Sequence, residues 1–319
     1  MMDRRDLWQR WLRRLPRALL VIVAAVLMAR TPNFFAPVTL GTILALGSIV
    51  GVLAIGQAFV LIGGGFDLAQ GATMALAAAS AATLATTKGL NPWMVVAMAL
   101  GIGAMLGSIN GAFVAIVGTN PFVTTLSTLL LFRGGAFLLL GGLPITGVRS
   151  FDFLEMGPTI AGTLVPARGF VFLVLAGISW VVLTKTVFGR HIYAVGGNVQ
   201  AARLSGLPTV RLRIATFALS GMAAALAALM QLSWVRVAKA DTGYGLELDS
   251  IAACVVGGIS LQGGSGSVIG AALGCLLLQA LGTYITMSGF PDEYRSLATG
   301  GVILTFAAAD AMARRGSKS

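Results

Sequence analysis

The feature that most constrains this chain is the length of its uncharged stretches. No Asp, Glu, Lys or Arg occurs from residue 89 to residue 132, or from residue 250 to residue 291. An α-helix needs about 20 apolar residues to cross the hydrocarbon core of a bilayer. Only 10% of the residues are charged and 57% are hydrophobic, whereas soluble domains carry about 25% charged residues. The sequence therefore predicts an all-α polytopic membrane protein.

The apolar segments predict about ten transmembrane helices, some of them interrupted. The predicted crossings are residues 17–31, 38–62, 70–87, 92–117, 121–141, 169–185, 213–235 and 296–312, with two more between 250 and 291 around a break at 257–266. Residues 17–313 are then one transmembrane domain, with a basic segment, 1–16, before it and a tail, 314–319, after it. No small-x-small cleavage site follows the first apolar run, so that helix is expected to be retained.

The formal charge of +11 is distributed in clusters between the apolar runs. Basic residues gather in the N-terminal segment, between residues 185 and 213, and in the C-terminal tail. Under the positive-inside rule these clusters mark the cytoplasmic side, which places both termini in the cytoplasm. The segment 142–167 has balanced charges and follows the fifth crossing, so it is predicted to be external. Nucleic-acid binding is not expected, because the cations do not line one solvated surface.

Motifs for catalysis or cofactor binding are missing from the sequence. There is no phosphate loop of the form G-x-x-x-x-G-K-[ST], so the chain is not expected to hydrolyse nucleotide by itself. The lone histidine, His191, has no cysteine cluster beside it, which argues against a metal site. Cys254 and Cys275 fall in apolar spans and are expected to be buried. The chain is therefore not expected to be an enzyme or to bind a cofactor.

Glycines mark helix contacts and helix breaks. Two sets recur every fourth residue and predict close helix packing: Gly103, Gly107 and Gly111, then Gly266, Gly270 and Gly274. The stretches "LIGGGFDLAQG" (61–71) and "VVGGISLQGG" (255–264) share a pattern at the ends of apolar runs. They predict helix breaks, which must face protein or a watery cavity because lipid cannot satisfy the exposed backbone. Asp67 is expected to cap the helix that starts at Leu68 or, alternatively, to line the path of a solute.

A short capped helix is predicted in the basic segment 185–213. In "GGNVQAARLSGLP" (196–208), Asn198 is a suitable N-cap, Gly206 suits a left-handed C-terminal position and Pro208 prevents continuation. The helix is too short to span a membrane, and a loop that only determines topology would need no caps. It is therefore expected to contact another protein.

Four separated segments resemble a known family. They are "GGGFDLAQGA" (63–72), "NPFVTTLSTLLLFRG" (120–134), "FGRHIYAVGGNVQAARLSG" (188–206) and "GYGLELDSIAACVVGGISLQGGSGSVIGAALG" (243–274). They look like the membrane permease subunits of bacterial ABC importers for monosaccharides, the ribose/xylose/galactoside class. The likeness runs in order from about residue 34 to residue 312.

The resemblance implies partners and a coupling site. Such a permease pairs with a second copy or a sister permease in the bacterial inner membrane, binds cytoplasmic ATPase subunits that hold ATP and Mg, and receives sugar from a periplasmic binding protein. The segment matching 188–206 is the family's contact with the ATPase, the coupling helix. The residues that this implies for coupling are Gly189, Arg190, Asn198, Ala201, Ala202, Arg203, Leu204 and Gly206. Ala201, Ala202 and Leu204 are expected to form a closely approachable surface with Arg203 at its rim.

A polar face is the candidate for the translocation path. "GTNP" (118–121) is predicted to end one span and start the next, along which Phe122, Thr125 and Thr128 lie close together. An aromatic ring beside hydroxyls suits a sugar, although packing between helices explains the same pattern. With Asn110 and Asp67, this face is the hypothesis for the central cavity. The near absence of charge in the spans agrees with a neutral substrate.

Two other classes of function stay open on the residues alone. An ion-coupled secondary carrier would also have broken helices and an intramembrane acid such as Asp67. A purely structural membrane protein would explain the packing glycines. Transport by this chain alone, driven by an ion gradient, would identify the carrier, whereas an importer of the ABC class would need an added ATPase.

Overall fold

The computed structural model describes residues 22, 25–26, 28–160, 163–291 and 293–315. The predicted N-terminal segment 1–16, most of the first predicted crossing at 17–31 and the end of the tail, 316–319, lie outside the described residues. In the described part of the chain, helices dominate and the strands are two residues long. The all-α prediction is confirmed for these residues.

Eleven helices with described bounds follow one another along the chain. They are α1 Pro37–Ile62, α2 Gln70–Thr86, α3 Pro92–Ala112, α4 Pro121–Leu139, α5 Ala167–Lys185, α6 Val187–Gly197, α7 Val199–Leu204, α8 Thr209–Val235, α9 Leu246–Val256, α10 Val268–Met287 and α11 Glu293–Arg315. A π-helical turn, Phe113–Val117, continues α3.

Asparagine and proline set two of the helix starts. Asn91 Oδ1 accepts a hydrogen bond from the Trp93 amide at 2.9 Å, and Asn120 Oδ1 accepts one from the Phe122 amide at 2.9 Å. A proline follows each asparagine at the first helical position, where its missing N–H costs nothing and its fixed φ is already helical. The predicted start of a helix at Pro121 is confirmed.

Six described helices are long and apolar enough to cross a membrane: α1, α3 with its π-helical turn, α4, α5, α8 and α10. Their bounds lie within a few residues of the predicted spans. Two other predicted crossings correspond to shorter helices, because α2 has 17 residues and α9 has 11. The chain is thus a polytopic membrane protein, and the count of ten crossings stays a prediction.

Glycine faces hold the central helices together. A Cβ on Gly103 or Gly107 would collide with the backbone of Gly221 or Phe217 on α8, and one on Gly111 would lie 2.7 Å from Ile214 Cα. These glycines therefore let α3 and α8 pack backbone to backbone. Similarly, α10 packs on α9 through two of its glycines, Gly270 and Gly274. The predicted packing roles are confirmed, although Gly266 lies in the turn before α10 instead of within a helix.

The segment 142–167 is fastened to one end of α8. Its strand β1, Ile145–Thr146, pairs antiparallel with β4, Val237–Ala238, which directly follows α8. A second small antiparallel pair joins β2, Thr159–Ile160, to β3, Thr163–Leu164. The other end of α8 adjoins α7, so α8 connects the 142–167 segment to the basic segment 185–213.

Candidate coupling segment and translocation path

The basic segment 185–213 folds as two consecutive helices, α6 and α7, before α8 begins. Asn198 separates them in an extended conformation, and its Oδ1 accepts a hydrogen bond from the Ala201 amide at 3.0 Å. Gly206 has φ +79°, in the left-handed region. The predicted caps of the short helix are confirmed. The preceding helix α6 was not predicted from the residues.

The residues assigned to coupling divide into an outer and an inner set. Exposed residues form the outer set: Arg190, Asn198, Ala201, Arg203, Leu204 and Gly206. Leu204 is 90% exposed, a large apolar side chain without cover in the chain alone. Gly189 and Ala202 are buried. The outer set is available to a partner, and the inner set is not.

Ala202 corrects part of the predicted surface. It was expected to be approachable together with Ala201 and Leu204, but it is 5% exposed and packs with Val195 and Leu212. Successive helical residues turn by about 100°, so residues 201 and 204 share a face that residue 202 cannot reach. Ala202 therefore holds α7 against α6 and α8.

The positive charges of this segment face outward. Four cations are exposed: Lys185, Arg190, Arg203 and Arg211. None of the ion pairs between described residues includes any of the four. Exposed cations without an ion-pair partner, on the same segment as an exposed leucine, are complementary to a partner surface that is acidic and partly apolar.

Glycines join α6 to two helix breaks at a site that we call the glycine junction, formed by Gly64, Gly196, Gly197, Gly263 and Gly264. A Cβ on Gly263 would lie 2.7 Å from Gly64 Cα, and one on Gly264 would lie 2.6 Å from Gly197 Cα. A Cβ on Gly196 would collide with the carbonyl oxygen at the end of α1. The Gly264 amide donates a hydrogen bond to that oxygen at 2.9 Å. The end of α6 thus lies between α1 and the turn before α10, with no space for a side chain at Gly196.

A tyrosine on α6 adds a further link. The Tyr193 hydroxyl donates a hydrogen bond to the Gly266 carbonyl oxygen at 2.9 Å. Burial raises the pKa of this hydroxyl above its ordinary value, so it stays protonated and remains a donor at neutral pH. Tyr193 therefore fixes α6 to the same turn that the glycine junction contacts.

Asp67 belongs to a buried polar network. Its Oδ1 accepts from the Ala69 amide at 3.0 Å, and its Oδ2 accepts from the Ser220 hydroxyl at 2.7 Å. Gln70 donates to Ser220 Oγ at 2.8 Å and accepts from Ser250 Oγ at 2.9 Å. The carboxylate thus accepts one main-chain hydrogen bond in the break before α2. The predicted helix cap is wrong, because the helix begins at Gln70 with Ala69 as its N-cap and no side chain caps it.

The other residues of the predicted path are mostly enclosed. The rings of Phe122 and Phe66 are 6.3 Å apart, and Thr125 Oγ1 lies 3.3 Å from the Phe66 carbonyl oxygen. Thr125 and Thr128 are buried and also bond to carbonyls of their own helix. The α4 face therefore meets the break that contains Asp67. Asn110 is buried on the α3 face that packs on α8, and its side-chain oxygen has no hydrogen-bond partner.

Sequence reasoning missed the glycine junction and the serines of the network. The shared pattern at 61–71 and 255–264 marked two of the three segments that meet, but nothing in the pattern showed that they meet each other. Ser220 and Ser250 were visible as polar residues in apolar helices, which need partners in a membrane. Among the described residues no group of three His, Cys, Asp or Glu side chains is arranged to hold a metal ion.

Comparison with known proteins agrees with this architecture. Residues 39–307 match the family described as the branched-chain amino acid transport system / permease component. The chain is 36% identical over 293 residues to the ribose import permease protein of Escherichia coli (strain K12), covering 90% of this chain and 89% of that protein. It is 38% identical over 289 residues to the autoinducer 2 import system permease protein of Enterobacter sp. (strain 638), covering 90% and 83%.

A third relative widens the range of solutes named. The galactose/methyl galactoside import permease protein of Salmonella typhimurium is 32% identical over 309 residues, covering 92% of each chain. The resemblance that the separated motifs indicated is thereby confirmed over nearly the whole chain. Together with the six apolar helices, it identifies a multi-pass protein of the bacterial inner membrane. The chain belongs to the family of membrane permease subunits of ABC-type import systems, and nucleotide hydrolysis in such a system is the task of a partner ATPase.

Proposed function

We propose that this chain forms the membrane pathway of an ATP-driven importer for a small neutral sugar or a related polyhydroxylated molecule. Two copies, or this chain and a sister permease, enclose the pathway. A cytoplasmic ATPase that holds ATP and Mg binds the outer set of the coupling segment, and a periplasmic binding protein delivers the solute. The names of the relatives, which import ribose, autoinducer 2 and galactosides, support this solute class.

The coupling segment carries the proposal. Its outer face combines unpaired cations with the exposed Leu204, and its inner face is fixed to the rest of the chain by Ala202 and the glycine junction. A surface that is exposed outside and rigidly attached inside suits a protein that transmits movement from a partner. A loop that serves topology alone would need neither feature.

Movement of the ATPase pair would enter the permease along two routes. One is covalent, because α6 and α7 lie between the spans α5 and α8. The other is the glycine junction, which connects α6 to the end of α1 and to the turn before α10. The second route reaches helices far away in sequence, so the whole bundle would respond to one contact.

The proposed orientation follows the charges. The exposed cations of the coupling segment are placed on the cytoplasmic side, which puts the opposite end of α8 and the segment 142–167 outside. Ten crossings with both termini in the cytoplasm remain the proposed topology. Single cysteines at residues 150 and 204, treated with impermeant thiol reagents in intact spheroplasts, test this topology. The cysteine at 150 should be labelled, and labelling at 204 instead would show that the orientation is the reverse.

Substitutions on the outer set test coupling. Ala201→Trp and Arg203→Pro leave every span intact, so membrane insertion should be normal while ATPase binding falls and hydrolysis no longer drives uptake. Ala308→Trp is the matched control, because Ala308 is an exposed alanine on α11. The measurements are co-purification of the ATPase in mild detergent and uptake by proteoliposomes that hold the complete importer.

Two results would contradict this assignment. Normal assembly and normal sugar-stimulated hydrolysis in both coupling variants would show that α7 does not contact the ATPase. Uptake by the permease alone, driven by an ion gradient, would replace the proposal with a secondary carrier.

The α4 face around Phe122 is proposed to form part of the translocation path. Phe122 is 51% exposed, while Thr125 and Thr128 are covered, so we propose that this end of the path is closed in the conformation described and opens during transport. Cysteines at positions 122 and 125 should react with water-soluble thiol reagents in at least one nucleotide state. Persistent protection of both positions in every state would exclude this face from the path.

A further inference from the structure

A cavity of about 480 Å³ lies at the end of α8 remote from the coupling segment. Its wall includes Gln231 and Trp234 from the last two turns of α8, and residues 237–246 close one side of it. Helices α1, α10 and α11 form the remaining wall. The volume falls within the roughly 300–1,000 Å³ that small-molecule sites occupy. None of the residues predicted for the path lines it.

The lining combines polar and apolar groups. Gln231, Gln279 and Thr242 contribute amide and hydroxyl groups, each able to donate and accept hydrogen bonds. The rings of Trp234 and Tyr244 are also in the wall, and α1 supplies aliphatic side chains. A sugar has the matching surface, with hydroxyls at its edge and apolar C–H groups on its faces, which pack on aromatic rings.

The charged groups that line the cavity already have partners. Lys239 Nζ lies 3.9 Å from Asp241 Oδ1, and Arg295 donates a hydrogen bond to Gln279 Oε1 at 3.0 Å. A smaller recess shares Gln279 and Arg295 with the cavity and adds Asp249 to its wall. An anionic ligand in the cavity would meet Asp241, and a cationic ligand would meet Lys239 and Arg295. A neutral ligand leaves the Lys239–Asp241 pair and the hydrogen bond between Arg295 and Gln279 as they are.

We propose that this cavity is a binding site for a small neutral polyhydroxylated molecule, the place in the permease where the solute released by the binding protein is first held. The inference rests on the proposed function, which it makes specific. Trp234 and Gln231 are the residues whose side chains contact the solute. The site lies at the opposite end of the molecule from the closed face around Phe122, so it is open while the other end is closed.

A matched pair of tryptophans tests the site. Trp234 is 49% exposed, and the Arg168 guanidinium lies 5.2 Å from its ring centre. Trp180 is 41% exposed, and the Lys185 ammonium lies 5.9 Å from its ring centre. Of the two, only Trp234 lines the cavity. In proteoliposomes with the complete importer, Trp234→Ala should lower the initial uptake of labelled D-ribose, D-xylose or D-galactose about tenfold. Trp180→Ala should change it less than about twofold. Equal uptake by the two variants overturns the proposal.

A second variant removes the objection that Trp234→Ala only disturbs folding. Gln231→Cys is a small change on α8, and a bulky impermeant thiol reagent added from outside after assembly should then stop uptake while stimulated ATP hydrolysis continues. Wild type treated with the same reagent is the control, because Cys254 and Cys275 are buried. Full uptake by the modified variant overturns the site.

The ligand class and the proposed function have separate readouts. The same sugars, added in excess, should slow modification of Gln231→Cys in the permease alone, and L-leucine should not. Protection by leucine instead of the sugars overturns the ligand class. A wild-type complex that hydrolyses ATP but imports none of the three sugars defeats the proposed function, and the sugar site is then rejected with it. Normal wild-type import with unaffected variants rejects the cavity alone.

Discussion

The two ends of α8 are held in different ways. At its start, α6 and α7 are joined to the bundle by the glycine junction, where main chain meets main chain. At its far end, the segment 142–167 is held by the main-chain pairing of β1 with β4 and, in addition, by ion pairs between side chains. Arg236 forms two hydrogen bonds with Asp152, at 3.1 and 3.0 Å, and Arg168 lies 3.1 Å from Glu155.

The difference follows from what each kind of contact permits. Where two glycine backbones are in contact, an atom added between them can be accommodated only if a whole segment moves. Ion pairs between side chains can lengthen, rotate or exchange with water, so one pair can be lost without moving the backbone. The coupling end is therefore suited to transmit displacement, whereas the side-chain contacts at the 142–167 end can tolerate it.

The largest effect is expected from a methyl group in the glycine junction. Gly196→Ala puts a Cβ against the end of α1 and 2.7 Å from the Gly264 amide nitrogen, whereas the same change at Gly197 meets nothing within 4 Å. We expect Gly196→Ala to destabilise the fold by about 3 kcal/mol and to abolish assembly with the ATPase. Gly197→Ala should stay within about 0.5 kcal/mol of wild type. Thermal unfolding in detergent measures the stability, and co-purification measures assembly with the ATPase. Indistinguishable behaviour of the two variants would show that the glycine junction is not rigid.

An intermediate effect is expected at the buried ion pair. Arg168 is 3% exposed and its partner Glu155 also accepts a hydrogen bond from the Ser233 hydroxyl at 2.9 Å. Glu155→Gln keeps an acceptor for Ser233 but leaves a buried guanidinium without its anion, which should cost about 2 kcal/mol because Glu155 is itself partly exposed. Glu293→Gln, at an exposed position, is the control. Uptake should fall with stability in this variant, while co-purification of the ATPase persists.

The outcome that would break the contrast is loss of ATPase binding in Glu155→Gln. Such a result would mean that the 142–167 end transmits displacement to the coupling segment as strongly as the glycine junction does. The two ends of α8 would then form one rigid unit.

The smallest effect is expected at the exposed pair. The side chain of Arg236 is 45% exposed and that of Asp152 is 28% exposed. Asp152→Asn should therefore lower stability by about 0.5 kcal/mol, a difference that shrinks as salt is raised from low concentration to 1 M. The unfolding temperatures of wild type and Asp152→Asn, measured across the salt series, test this expectation. A salt-independent loss above about 2 kcal/mol would show that this pair acts as a buried one.

The local structure of the chain was largely readable from sequence. Uncharged runs gave the positions of the long helices, and Pro121 and Asn198 marked helix starts because proline geometry and side-chain capping act within a few residues. Family membership followed in the same way, since separated motifs in order are a property of the sequence itself. These features depend on neighbours along the chain, which a single sequence displays.

Tertiary structure alone decided which distant segments meet. The sequence indicated breaks near Gly64 and Gly264 and a capped helix after Gly197, but only the fold shows that the three lie against each other. It likewise placed Ala202 inside and Leu204 outside, and it brought Gln231 and Gln279 to one cavity. The physical reason is that a hydropathy pattern fixes which residues leave water and leaves open which helix each one faces. In a chain with apolar residues on every side of its helices, that choice is made by close packing between segments far apart in sequence.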